Sequence, residues 1–512
     1  MLTSGNAAQY FVENHRTGPV AAKTAFREAD GARRELTYGA LAKDSDRMVG
    51  LLADAGLRRD ERAVLLTLDK VETPTIFWGC LKAGVAPIPL NTLLTAETYA
   101  GIFADCRPRA VFVDDALWDV AADAIVASSP DAVFVIGGEG RPGATLFAGA
   151  LGAAAPGPMV DASPDETAFW LYSSGSTGLP KGVRHVHGAL QATAETYGAK
   201  VLQIAPDDVV YSVAKIFFAY GLGNAMTFPM SVGATTILFA GRPTPDGVAA
   251  VLRDHKPTVF CGVPTLYAGL GAHLEAVGAP EVPLRACISA GEALPPDVGA
   301  RWTRLFGVDI LDGVGSTEML HIFLSNAPGA VEYGASGVAV PGYELRLVND
   351  SGEEVADGEI GELLVSGASA ADGYWNNRAK SRATFEGRWT RTGDKYERRA
   401  DGRYIYCGRT DDMFKVSGVW VSPFEVESAL ISHDAVLEAA IVAAEDEDGL
   451  EKPRAFVVLR DRAGDEALTA ALQNHVKTAV GPWKYPRWID YVDDLPKTAT
   501  GKIQRFKLRG SP

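Results

Sequence analysis

The segment Tyr172-Ser-Ser-Gly-Ser-Thr-Gly-Leu-Pro-Lys-Gly182 holds the densest set of groups able to do chemistry. Its glycines let backbone N–H groups converge on an anion, the hydroxyls of Ser173, Ser174, Ser176 and Thr177 add donors, and Lys181 adds positive charge. Such a loop wraps phosphate oxygens, although its composition also suits a flexible linker. The spacing is not that of an ordinary P-loop: Pro180 stands five residues after Gly175, and Lys181 is followed by Gly182. No Gly-x-Ser-x-Gly elbow surrounds Ser174 or Ser176, and Gly221-Leu-Gly223 lacks the third glycine of a dinucleotide fingerprint. His185 and His187 have no evident third metal ligand, and no cysteine sits in a nucleophile motif. A thiol, if the chemistry needs one, must come from a cofactor.

The chain that positions these groups has 512 residues, 47% hydrophobic and 22% charged, the composition of a globular protein with ample core. A formal charge of -15 makes the average surface repel phosphate backbones and anionic lipid, so nucleic acid and membrane are not expected as partners. The 5 cysteines are far apart and form no Cys-x-x-Cys pair, which with the absence of a signal-peptide pattern fits a reducing cytoplasm. The uncharged run Ile216 to Ala240 is long enough to span a bilayer, but Gly221, Gly223, Asn224, Pro229 and Gly233 interrupt it, and it reads as a buried segment.

Apolar runs at Arg62–Leu68, Ala110–Val113 and Ala132–Ile136 read as fully buried strands, with helical patterns around Thr37–Leu52 and Thr73–Lys82 between them. The alternation returns at Thr235–Phe239, Thr258–Cys261, Ala286–Ser289 and Val308–Leu311. The fold class is therefore α/β: a large N-terminal domain of two α/β layers plus a small β-rich unit from about residue 335, then an α+β C-terminal domain. The polar stretch Gly408-Arg-Thr-Asp-Asp412 is the natural joint, giving domains 1–410 and 411–512.

The 172–182 loop resembles the phosphate loop of the adenylate-forming superfamily, which includes acyl- and aryl-CoA synthetases, luciferase and peptide-synthetase adenylation domains. Lys82-Ala-Gly-Val-Ala-Pro-Ile-Pro-Leu-Asn91, Gly315-Ser-Thr-Glu318, Gly361-Glu-Leu with Gly373-Tyr-Trp, Thr392-Gly-Asp394, Gly408–Asp412 and Pro496-Lys-Thr-Ala-Thr-Gly-Lys502 resemble its other signatures in order along nearly the whole chain. The resemblance implies attack of a carboxylate on the α-phosphorus of ATP, then of a coenzyme A thiol on the acyl-adenylate. It implies ATP/AMP contacts from Ser173 to Gly178, Lys181 and Thr317, and adenine held between Ala290-Gly291-Glu292-Ala293 and Asp312-Gly313-Val314-Gly315. Thr177 and Glu318 would hold Mg²⁺, Asp394 would accept from the ribose diol, and Arg409 would add a nucleotide contact. Lys502 would bridge carboxylate and α-phosphate as the catalytic lysine beside Glu318 and Thr177. Asp411 would be the hinge of a mobile C-terminal domain, and Lys415, Ser417 and Gly418 would line the tunnel for the pantetheine arm.

Lys215-Ile-Phe-Phe-Ala-Tyr-Gly-Leu-Gly-Asn224 stands at the superfamily's aromatic pocket motif, and Gly315–Phe323 forms the opposite wall. Phe218, Ala219, Tyr220, Gly221, Ala290, Gly315, Leu320, His321 and Ile322 are the expected acid pocket, with Phe218 where many relatives have a histidine. These segments, with Arg378–Arg382 and Lys497–Leu508, look most like benzoate-CoA ligases. The expected substrate is benzoate, ahead of 4-hydroxybenzoate or an aminobenzoate, in a monomer or homodimer. Transfer to a carrier protein, a medium-chain fatty acyl substrate, and a non-catalytic nucleotide sensor are the competing readings.

Overall fold

The computed structural model describes residues 5–175, 178–410, 412–416, 419–447, 450–460, 463–497 and 503–509. The chain divides into two compact units, one of residues 1–344 and 365–390, the other of residues 345–364 and 391–512. This grouping gathers residues 391–410 and the tail together.

In the first unit, apolar runs become buried parallel strands, as expected where both faces of a sheet are covered. Among the described residues, nine strands form one sheet, in which Ile310–Gly315, Ala286–Ser289, Val259–Gly262, Val209–Ser212, Thr235–Leu238 and Thr24–Glu28 are successive parallel neighbours. The antiparallel pair Ile322–Ser325 and Val338–Ala339 extends one edge, and Glu35–Thr37 the other. A second, all-parallel sheet runs Ala86–Pro89, Arg62–Leu66, Ala110–Asp114, Ala132–Ile136, Thr145–Leu146. These are the two α/β layers the alternation predicts.

Local chemistry sets the helix ends. Thr37 caps Tyr38–Asp54 by accepting from the Ala40 N–H, and Gly84, at φ 71°, ends Glu72–Ala83 in the left-handed region that favours glycine. Lys82 is wholly buried on that second helix, where Glu13 and Asp46 compensate its charge at 2.5 and 2.8 Å. This part of the early signature thus holds helices together.

In the second unit, the Asp394–Arg398 part of the strand Trp389–Arg398 pairs antiparallel with Tyr404–Arg409. Farther on, Val436–Glu445 pairs antiparallel with Glu451–Leu459, which pairs parallel with Trp488–Tyr491. Helices Pro423–Ile431 and Glu466–Val480 bury Val426, Leu430, Leu468, Leu472 and Val476 against these strands. Arg505 closes the base through two hydrogen bonds to the buried Glu427, at 2.7 and 2.9 Å.

The run Ile216 to Ala240 breaks into Ala219–Leu222, the π-helical Gly223–Thr227, Phe228–Val232 and the strand Thr235–Leu238. Among the described residues no helix is long and apolar enough to cross a membrane. All 5 cysteines are free and buried.

Candidate active site

The described part of the glycine-rich segment lies in the two strands of a β-hairpin. Thr167–Gly175 runs through the serines and pairs antiparallel with Gly178–Val186, setting Ser173 opposite Lys181 and Gly175 opposite Gly178, with a register shift between Ser173 and Gly175. The apolar run Phe169-Trp-Leu-Tyr172 reads as a strand from sequence, and ladder pairing carries it on through Gly175. Among the described residues the buried Ser173 Oγ has no hydrogen-bond partner, which suits a ligand oxygen at this point. One pair before Ser173, the Tyr172 hydroxyl donates to Asp105 Oδ2 at 2.7 Å, and Gly182 leaves room for the Tyr172 ring.

A strap of chain from Ser369 to Trp375 joins this hairpin to the turn bearing Glu318. The Ser369 hydroxyl donates to the Met319 carbonyl at 2.7 Å and the Ala371 N–H to the Glu318 carbonyl at 2.8 Å. Gly373 and Tyr374 pair with Arg184 and Val183, and the Trp375 N–H reaches the Gly182 carbonyl. The Tyr374 hydroxyl donates to Glu318 Oε1 at 2.8 Å, and Lys181 Nζ lies 4.8 Å from the centre of the Tyr374 ring. Gly373-Tyr-Trp stands among the sequence signatures, but no residue type or spacing there gives Tyr374 a role. Its connection to Glu318, 56 residues away, is a tertiary fact.

The segments expected around adenine leave adjacent parallel strands, where Ser289 is in register with Asp312. Gly291 takes φ 98°, and the Leu294 N–H points to Asp312 Oδ2 at 3.5 Å. Burial pushes the Asp312 carboxyl up to about 7. A Cβ on Gly315 would sit 2.6 Å from the His321 carbonyl oxygen, so only glycine fits that crossing.

The expected acid pocket is also assembled. Gly221 packs on the carbonyls of Ala214 and Lys215, and the Tyr220 hydroxyl donates to the carbonyls of Gly262 and Ile288, both at 3.1 Å. Phe218 contacts Phe217, with ring centroids 4.5 Å apart. Leu320 is buried at φ 66°, a strained conformation for a branched side chain. His321 is 2% exposed, its ring 4.5 Å from Phe228, 5.2 Å from Tyr197 and 5.7 Å from Tyr220. Among the described residues neither ring nitrogen has a hydrogen-bond partner in good geometry, although the nearby Tyr220 carbonyl favours the charged ring. Burial lowers the imidazole to about 3, so it is neutral. Ala290 and Ile322 are buried as well. Tyr197, Gly223 and Phe228 also shape this region. No spacing in the sequence marks Tyr197, since it arrives from a separate π-helical segment, Ala194–Val201.

In the second unit, Asp394 and Arg409 are cross-strand neighbours, with Arg409 Nη1 3.2 Å from Asp394 Oδ1 and 3.1 Å from the Thr392 carbonyl. Gly393, at φ 72°, leaves room for that guanidinium. Ser176, Thr177, Asp411, Ser417, Gly418 and Lys502 lie outside the described residues. Val416 and Lys415 precede the 417–418 stretch in the strand Phe414–Val416. His185 is buried against Phe169, the rings stacked 5.1 Å apart, and His187 Nδ1 accepts from the Ala7 N–H. Among the described residues no group of His, Cys, Asp and Glu side chains could hold a metal ion by itself.

A two-layer α/β unit, a glycine-rich hairpin and a smaller α+β part agree with an adenylate-forming type of enzyme. The AMP-binding enzyme family matches residues 13–375, and its C-terminal domain matches residues 425–502. The chain belongs to the AMP-binding enzyme family. It is 52% identical to a 4-hydroxybenzoate–CoA/benzoate–CoA ligase of Rhodopseudomonas palustris, covering 99% of this chain and 94% of the relative. It is 51% identical to a benzoate–CoA ligase of Thauera aromatica, covering 99% and 96%. The crystal structure of a benzoate CoA ligase from Burkholderia xenovorans LB400 superposes with a TM-score of 0.89 at 50% identity, covering 99% of this chain and 100% of that one.

Proposed function

We propose that the protein is an ATP-dependent aryl-CoA ligase that converts benzoate, ATP and coenzyme A to benzoyl-CoA, AMP and pyrophosphate. The likeness to benzoate ligases over almost the full chain carries this reading. The buried aromatic cluster around a neutral His321 agrees with it, since flat ring walls suit a flat acid.

In the first half-reaction a benzoate oxygen attacks the α-phosphorus and pyrophosphate leaves. Ser173 to Gly178 and Lys181 would hold phosphate oxygens, Asp312 to Gly315 with Thr317 and Gly291 to Ala293 the adenine, and Asp394 with Arg409 the ribose. Lys502 would place its ammonium where negative charge gathers between carboxylate and phosphate. Glu318 and Thr177 are the proposed Mg²⁺ ligands. A lone carboxylate with a hydroxyl fits an ion that takes its other ligands from substrate phosphates and water. When bound, Mg²⁺ neutralises charge on the leaving phosphates. In the second half-reaction the coenzyme A thiol attacks the acyl carbon and AMP departs, the pantetheine arm passing Lys415, Ser417 and Gly418. Domains 1–410 and 411–512 would exchange orientation about Asp411.

A second reading makes 4-hydroxybenzoate a substrate as well. It is favoured by the two unpartnered nitrogens of His321, since a neutral imidazole can accept from or donate to a phenol. Coenzyme A-dependent AMP formation with benzoate, 4-hydroxybenzoate, 2-aminobenzoate and hexanoate, each with ATP and Mg²⁺, separates the readings. Benzoate turnover is expected, and activation of hexanoate alone would overturn the aryl assignment. Adenylate without thioester would point to a carrier protein.

A further inference from the structure

We infer that Tyr374 is a positioning residue for the nucleotide end of the site, orienting the Glu318 carboxylate and tying it to the phosphate hairpin. The inference rests on the proposed roles of Glu318 and Lys181. Three independent contacts carry it.

The first is the hydroxyl, which donates to Glu318 Oε1 at 2.8 Å. A donor on one carboxylate oxygen fixes the plane of the group and directs the other toward a cation. The second is the ring. Lys181 Nζ lies 4.8 Å from its centre, within cation–π range, so one side chain touches both the carboxylate and the lysine of the phosphate hairpin. The third is the backbone. Tyr374 pairs with Val183, two residues from Lys181 along one strand face. Apart from these three, its N–H donates to Ser381 Oγ at 3.0 Å, a contact of the strap alone. Tyr374 is 5% exposed, so its aromatic body is packed and its hydroxyl has little freedom to turn away. The carboxylate and the ammonium are thereby held in one relative placement before nucleotide arrives, which lowers the ordering cost of binding a metal–triphosphate.

The test is Tyr374→Phe, which deletes the hydroxyl and keeps the ring, and with it the Lys181 contact. Mn²⁺ binding in the presence of ATP, followed by the free Mn²⁺ paramagnetic signal with no acid added, should weaken about tenfold, as losses of such supporting partners do. The Mg²⁺ concentration for half-maximal benzoate-dependent ATP–pyrophosphate exchange should rise in parallel, while KM for benzoate and the melting temperature stay at wild-type values. Ser381→Ala, which loosens the strap without touching Glu318, should leave Mn²⁺ binding unchanged. Unaltered Mn²⁺ affinity in Tyr374→Phe would overturn the inference, and so would an equal loss in Ser381→Ala. A wild-type enzyme that binds Mn²⁺ with ATP yet fails to activate benzoate would sink the substrate assignment and leave this one standing.

Discussion

Gly223 faces the edge of the His321 imidazole so closely that a Cβ at position 223 would lie inside the ring's van der Waals envelope, 2.8 Å from Nε2. Neither residue can move freely, because the ring is enclosed by Tyr197, Tyr220 and Phe228. Gly223→Ala should therefore displace the imidazole. Overpacking of this kind costs about 1–3 kcal/mol, so a lower melting temperature is expected. KM for benzoate should rise with KM for ATP unchanged, and equal increases in both would refute a local effect.

His321 also predicts a pH dependence. Its folded value of about 3 lies below the usual histidine range, so between those two values the unfolded chain binds a proton that the folded chain does not. Stability from this residue is present at neutral pH and is lost as pH falls. His185, at about 3, and His187, at about 4, act in the same direction, whereas Asp69, raised to about 6, and Asp312, raised to about 7, act oppositely. The contribution is best isolated as a difference against His321→Gln. The stability gap between wild type and variant should narrow on acidification below pH ~6.5, by up to about 1.4 kcal/mol per unit. A gap that stays constant down to pH ~4.5 would mean the ring is not neutral in the fold.

Behind the aromatic wall, Lys215 donates to the carbonyls of Phe239 and Gly241, the latter at 2.9 Å, and feels the carboxylates of Asp69 and Asp30. Asp69 in turn accepts from the Ile216 N–H at 3.3 Å. Lys215→Met leaves two carbonyls without their donor and removes a cation whose field Asp69 feels, so a lower melting temperature is expected. Asp69→Asn in the same chain should recover part of the loss. Thermal melts of the single and double variants would show the coupling, and strict additivity would argue that the two side chains do not interact.

Lys502→Ala should separate the two half-reactions. Losing one donor to the transition-state charge costs about 3–4 kcal/mol, so benzoate-dependent pyrophosphate release should drop by a factor of about 10² to 10³. Thioester formation from supplied benzoyl-AMP and coenzyme A should continue near the wild-type rate. Equal loss of both steps would remove the lysine from its proposed role.

Much of this molecule follows from local rules. Buried parallel strands announce themselves as unbroken apolar runs, and Ala110–Asp114 and Ala286–Ser289 lie where those runs stand. Helices begin at cap residues such as Thr37 and stop at Gly84, because capping needs only neighbours in the chain. The ordered signatures likewise assign the family from residue types alone. Strand ends were less legible: the hairpin strand continues through Gly175, since cross-strand pairing outweighs the turn preference of Ser and Gly.

Which side chains meet was left to the tertiary structure. The sequence offers His321 as a polar group on a pocket wall, and only packing shows that rings from three segments surround it and leave its nitrogens unpartnered. The pairing of Tyr374 with Glu318, the anchoring of Lys215 on the Phe239 and Gly241 carbonyls, and the internal neutralisation of Lys82 by Glu13 and Asp46 are of the same kind. The physical reason is range. Capping and hydrophobic period act within a few residues, whereas hydrogen bonds, ion pairs and desolvation act on whatever the fold brings within a few ångströms, however far apart in the chain.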